Sequence, residues 1–97
     1  MRVIKRKTLS DFWEHQPASE QELRAWFHEA EHAAWRTPAD VKAKYRSASI
    51  LKDGRAVFNI CGNSYRLVAR INYTFQIVYI RFVGTHKEYD KIDAQVI

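Results

Sequence analysis

The sequence predicts an α+β fold of two layers, with N-terminal helices packed on one face of an antiparallel β-sheet. Three observations lead there. Apolar residues recur at helical spacing from Leu9 to Tyr45, and from Ser49 onward the period changes to two. Asp53-Gly54 sits between two short β-prone runs, a strong hairpin signal. At 97 residues, 46% hydrophobic and 13% aromatic, the chain is too apolar for a disordered tail and too short for two cores. Residues 1–97 are therefore expected to form a single domain.

Each element follows from local signals. Val3 and Ile4 start a short strand. Thr8 or Ser10 caps a first helix that carries Leu9, Phe12 and Trp13 and stops before Pro17. Ser19 and Glu22 have the spacing of a capping box and open a second helix. Its apolar stripe is Leu23, Trp26, Phe27, Ala30, Ala33 and Ala34. Thr37-Pro38 starts a short third helix, with threonine as cap and proline at the first helical position. That helix turns Val41 and Tyr45 inward and Lys42, Lys44 and Arg46 toward water. Strands are predicted from Ser49 to Lys52, Ala56 to Ile60, Tyr65 to Asn72 and Ile77 to Val83. Cys61-Gly62-Asn63-Ser64 and a polar turn near Thr74 connect the later ones. Thr85 to Asp90 reads as a loop or a short terminal helix.

The net charge is +5, and it is concentrated. Between Arg36 and Tyr73 stand eight basic residues (Arg36, Lys42, Lys44, Arg46, Lys52, Arg55, Arg66, Arg70) against two acids, Asp40 and Asp53. Such a surface attracts phosphate through counterion release, or else is a solvated face or a patch for an acidic protein. A lone cysteine, Cys61, excludes an intramolecular disulfide framework and fits a reducing compartment. The basic N-terminus (Arg2, Lys5, Arg6, Lys7) is followed by no apolar run, so neither a signal peptide nor a membrane contact is expected. The cytoplasm is the expected location.

Two constellations invite chemistry. His28-Glu29-Ala30-Glu31-His32 spells the H-E-x-x-H zinc signature. A zinc protease also needs a third ligand and a substrate cleft, and the one later histidine is His86. The motif reads as a solvated helix face, and no metal or cofactor is expected.

The second constellation lies on the strands. Alternation turns Arg66 and Arg70 away from Leu67, Ala69 and Ile71, so the arginines look out from the sheet. Arg81 is a lone charge in an apolar strand and must be paired, with Asp90 or Glu88, or face a solvated groove. His86, Lys87 and Tyr89 follow at once, bringing an acid/base group, a cation and a phenol together. Metal-free RNA cleavage needs those parts. A base takes the 2′-hydroxyl proton, cations stabilise the phosphorane, and an acid protonates the 5′-oxygen.

The segments Val57-Phe58-Asn59-Ile60, Gly62-Asn63-Ser64-Tyr65-Arg66-Leu67-Val68 and Val78 to Asp90 resemble the HigB family of bacterial toxins. The run Gly84-Thr85-His86-x-x-Tyr89-Asp90 after a strand is the most specific part. The Tyr-Arg-Leu-Val strand is shared across RelE-like toxins. The resemblance implies a compact RelE/ParE-like fold and a ribosome-dependent endoribonuclease that cuts mRNA in the decoding site, against 16S rRNA. It also implies a HigA-like helix-turn-helix antitoxin that silences the toxin and represses the shared operon, so DNA is met only through the antitoxin.

Carried onto this chain, Arg66 and Arg81 would hold the scissile phosphate and His86 would be acid or base, with Tyr89 and Lys87 as helpers. Asn63 would steady the RNA or the turn. Lys42, Lys44, Arg46, Lys52 and Arg70 would contact RNA. The histidine departs from the arginine-rich and lysine-rich site of RelE and points to histidine-assisted cleavage. Two rival readings remain open here: a toxin of the same fold that inhibits gyrase without catalysis, and a non-catalytic RNA-binding module using Tyr73 or Tyr79.

Overall fold

The computed structural model describes residues 1–97. The first half runs β1 (Arg2–Ile4), α1 (Arg6–His15), a 3₁₀ turn (Pro17–Ser19), α2 (Glu20–His32) and α3 (Pro38–Lys44). The second half runs β2 (Ser49–Ile50), β3 (Arg55–Ile60), β4 (Tyr65–Asn72), β5 (Ile77–Thr85) and α4 (His86–Tyr89). The strand order in the sheet is β1-β5-β4-β3-β2. β2 to β5 form the expected antiparallel meander. β1 adds something the meander does not predict: it lies parallel to β5, with Val3 opposite Val78, and makes the sheet mixed. A parallel pair needs a long crossover, and here everything between the two strands supplies it.

The main core lies between the helices and one sheet face. Leu9, Leu23, Trp26 and Ala30 from α1 and α2 meet Phe58, Leu67, Val78 and Ile80 from the strands, all buried. Trp26 stands edge-on to Phe58, with ring centroids 5.3 Å apart. The Met1 nitrogen donates to the carbonyls of Glu31 (2.8 Å) and Ala33 (2.9 Å), tying β1 to the end of α2. No helix is long and apolar enough to cross a membrane.

Helix starts differ in part from the sequence reading. α1 begins two residues before Thr8, after Lys5 at φ 73°, so neither Thr8 nor Ser10 is its cap. The Ser19 hydroxyl donates to the Gln16 carbonyl (2.7 Å) instead of capping α2. Its expected partner Glu22 accepts the Cys61 backbone N–H (2.6 Å) and pins the β3–β4 turn to α2. α3 starts as expected at Thr37-Pro38, and the Asp40 carboxylate accepts the N–H groups of Arg36 (2.9 Å) and Thr37 (3.3 Å). Ala34 lies beyond the end of α2 and is exposed.

β2 pairs over two residues only, and the turn after it places both Asp53 (φ 56°) and Gly54 (φ 76°) in the left-handed region. That is the backbone an Asp-Gly hairpin turn requires. A Cβ on Gly54 would overlap the Ile71 carbonyl oxygen of β4.

The opposite, outer face of the sheet is not left bare. After α4 the chain folds back across it, and Ala94 packs on Val57 and Val68. Leu51, Phe82, Tyr89, Ile92 and Ile97 surround this small second core. A bulge shapes the same face. Val68 pairs with Phe82 and Ala69 with Ile80, which leaves Arg81 as the extra residue of β5. The bulge reverses the alternation beyond it. Val78, Ile80 and Val83 pack on the helix side, and Phe82 packs on the outer side.

Candidate active site

The outer ends of β4 and β5 meet the β3–β4 turn and α4, and four side chains gather there. Arg66 projects from β4 opposite Gly84 of β5. Its Nη1 donates to the backbone carbonyls of Asn63 (3.1 Å) and Tyr65 (3.3 Å), and its Nη2 to the Asn63 side-chain oxygen. The guanidinium carbon lies 5.8 Å from the centre of the Tyr89 ring, within cation–π range. No carboxylate lies within ion-pair distance of it: the contacts of that kind are Lys7–Asp11, Arg24–Glu20 and the His86–Asp90 hydrogen bond. The half-exposed cation is therefore held in place without being neutralised.

His86 is the first residue of α4, and its backbone N–H donates to the Ser64 carbonyl (3.1 Å) across the strands. One helical turn on, Asp90 lies 3.1 Å from the imidazole Nδ1. An ionised carboxylate only accepts, so Nδ1 carries a hydrogen toward Asp90 and Nε2 is the ring nitrogen directed away from it. Asp90 belongs to the run that carried the family resemblance, but the sequence reading gave it no role in the site. Its i, i+4 spacing from His86 was the available signal.

Two local features hold α4 against the strands. Thr85 leaves β5 with extended backbone (φ −68°, ψ 164°). Its hydroxyl accepts the Glu88 N–H (3.2 Å), while the Glu88 carboxylate accepts the Thr85 N–H (2.8 Å). This capping box decides between the two sequence alternatives for the segment: it is a short helix. Gly84 supplies the second feature, because a Cβ there would press on the Phe82 ring and the Glu88 Cβ.

The remaining sequence candidates fall elsewhere. Lys87 is on α4 and exposed. Arg81, exposed on the bulge, donates from Nε to the Ile97 carbonyl (3.2 Å), so neither Asp90 nor Glu88 is its partner. It lies about 10 Å along β5 from Gly84, the residue opposite Arg66. With Arg70, Tyr79, Asp53, Ile71 and Asn72 it lines a cleft of about 310 Å³. Lys44 edges a separate cleft beside α2 and α3, and Lys42 is spent on the Ala48 carbonyl. Arg46 and Lys52 are exposed. None of these four hydrogen-bonds into the Arg66–His86 cluster. Tyr73 is half-buried against the main core, as a core edge would be.

The H-E-x-x-H motif has structural work. The His28 and His32 rings lie 4.3 Å apart, and Glu29, the would-be base, accepts the Tyr45 hydroxyl. No third metal-ligating side chain converges on them. Burial, then the Glu29 carboxylate, push the Tyr45 pKa far up. At Cys61 burial, then Glu22, push the thiol up and away from the nucleophilic thiolate.

The family model described as HigB_toxin, RelE-like toxic component of a toxin-antitoxin system, matches residues 19–92. The mRNA interferase toxin HigB of Escherichia coli (strain K12) is 38% identical over 96 residues, which cover 97% of this chain and 92% of that protein. The mRNA interferases HigB of Escherichia coli O157:H7 and of Shigella flexneri match with the same identity and coverage.

Proposed function

Because the chain belongs to the HigB family of RelE-like toxins from toxin-antitoxin systems, we propose that it is an mRNA interferase whose centre is the Arg66–His86–Tyr89 cluster. It cuts translated mRNA in the ribosomal decoding site, against 16S rRNA, and works in the cytoplasm. A HigA-like helix-turn-helix antitoxin silences it.

The observation that carries this reading is the juxtaposition of an oriented imidazole and an unneutralised guanidinium, His86 on Asp90 and Arg66 on Asn63. In the reaction His86 Nε2 exchanges the proton with the 2′-hydroxyl or the 5′-leaving oxygen. The 2′-oxygen attacks phosphorus, the P–O5′ bond breaks, and a 2′,3′-cyclic phosphate remains. Arg66 stabilises the charge that builds on the phosphorane oxygens, already aligned by Asn63 and the Tyr89 ring. Tyr89 assists proton transfer from α4, and Lys87, exposed on the same short helix, adds positive charge when RNA is bound. Lys44, Arg46 and Lys52, all exposed, serve as phosphate contacts to the ribosome.

The test is induction of the protein beside a folded His86→Ala variant, with mRNA 5′ ends mapped within minutes. New ends inside translated regions, absent in the variant and dependent on translation initiation, are the expected result. Growth arrest with intact mRNA and disturbed DNA topology would replace this reading with gyrase inhibition.

A further inference from the structure

We propose that Glu22 of α2 is a positioning residue of the Arg66–His86 centre: through the β3–β4 turn it sets both the Arg66 guanidinium and the start of α4. The inference rests on the nuclease reading above. It adds to that centre a support from the helical layer of the fold.

The two halves of the centre hang on neighbouring residues of one turn. Asn63 accepts from Arg66 Nη1 through its backbone carbonyl (3.1 Å) and from Nη2 through its side-chain oxygen. Ser64, the next residue, accepts the His86 backbone N–H through its carbonyl (3.1 Å). A shift of this turn therefore moves the cation and the imidazole together.

The turn needs outside support. Cys61 (φ 53°) and Gly62 (φ 66°) both lie in the left-handed region, which glycine adopts freely and cysteine does not. The Ser64 N–H closes the turn on the Cys61 carbonyl at 3.2 Å, close to the long limit for such a bond. A strained residue persists where its surroundings hold it, and here the helical layer does so. The Glu22 carboxylate accepts the Cys61 N–H at 2.6 Å. Two further ties come from the same side: the Cys61 thiol donates to the Ala18 carbonyl and the Tyr65 hydroxyl to the Gln16 side-chain oxygen, both at 3.4 Å. A thiol is a weak donor, whereas the bond to an ionised carboxylate is short and charge-assisted, so Glu22 carries most of the constraint.

Glu22 is exposed and makes no ion pair. Water can replace it as the acceptor without leaving a cavity, so its loss should loosen the turn and spare the fold. Its negative charge at the start of α2 is matched by Glu20 in the same helical turn, which supplies a control.

The test compares Glu22→Ala, Glu22→Gln and Glu20→Ala in single-turnover cleavage on programmed ribosomes, beside NMR spectra of the isotope-labelled free protein. Glu22→Ala should lower the maximal rate by roughly 10- to 100-fold, the scale of a small misplacement of reacting groups, with the half-saturating ribosome concentration unchanged. Its Arg66 guanidinium and His86 amide signals should shift along with that of the Cys61 amide. Glu22→Gln keeps an acceptor oxygen and should recover most of the rate and the Arg66 signal. Glu20→Ala, which breaks the pair with Arg24 and leaves the turn untouched, should match the wild type. A full maximal rate in Glu22→Ala overturns the proposal, as do Arg66 and His86 signals that stay in place. A change in half-saturation alone overturns it too and makes Glu22 a ribosome contact. An equal loss in Glu20→Ala would trace the effect to the helix and likewise remove the proposal. Arg66 and His86 signals that follow Glu22, in a wild type that cuts no translated mRNA, would keep the tie and remove the nuclease reading.

Discussion

Arg66 shows how a single side chain is prepared for catalysis. Three hydrogen bonds and an aromatic face fix its guanidinium, yet no carboxylate cancels its charge. Arg66→Ala and His86→Ala are each expected to cut single-turnover cleavage on programmed ribosomes by about 10²–10⁴-fold with the fold intact, the range for losing one acid/base or electrostatic group. Full cleavage by either variant would discard the assigned centre. Asp90→Ala should act in the same direction but more weakly, because Asp90 orients the imidazole and does not reach the RNA. Away from the site, the Tyr45 hydroxyl donates a hydrogen bond to Glu29, and its folded pKa lies above the ordinary value near 10. The sign follows from linkage: the folded state holds the proton that the unfolded chain releases, so this stabilisation is complete below pH 10 and is lost as pH rises further. Urea midpoints should therefore fall above pH 10 more steeply in the wild type than in Tyr45→Phe. The strand period was enough to turn Arg66 outward and the turn enough to group His86 with Tyr89, while the family resemblance was what joined Arg66 to them. The place of Arg81 was not legible, because a bulge is set by tertiary pairing and leaves no mark in a period of two.

The capping boxes make the same point for elements. Ser19-x-x-Glu22 and Thr85-x-x-Glu88 share one pattern, and only the second forms. An N-cap needs extended backbone, which Thr85 has on leaving a strand. Ser19 ends a 3₁₀ turn with helical backbone (φ −85°, ψ −16°), so its hydroxyl points back and Glu22 is free to hold Cys61. Thr85→Ala should cost about 1 kcal/mol. It should lower cleavage more than it lowers the melting temperature, since α4 carries His86 and Tyr89 but little of the core. An equal loss in both would show that the cap serves the fold alone. Gly54→Ala should be the more damaging at the hairpin: a positive φ and the crowding carbonyl of Ile71 together cost about 1–3 kcal/mol, read as a lower denaturant midpoint.

For the molecule as a whole, hydrophobic periodicity sufficed for the two layers, the meander and the main core. It could not foresee the second core, since Ile92, Ala94 and Ile97 lie in a polar stretch with no period of their own. Their burial depends on Val57 and Val68 being free to receive them. Removing residues 92–97 should uncover those valines and leave Arg55, only 9% exposed, without its acceptor. A loss of roughly 2–4 kcal/mol is expected in denaturant titration, the scale of one or two buried aliphatic side chains. An unchanged midpoint would mean that the tail contributes nothing to stability.

The parallel pairing of β1 with β5 bears on when the protein becomes dangerous to the cell that makes it. Arg2–Ile4 are synthesised well before their partners Ile77–Tyr79, with the rest of the fold in between. Until those partners emerge β1 has no strand to join, and the sheet that carries Arg66 and His86 lacks its last strand. Pairing across so much of the chain is slow to form and must wait until β5 has been made. Each new copy thus passes through an interval with an incomplete sheet, during which an antitoxin already present can meet it.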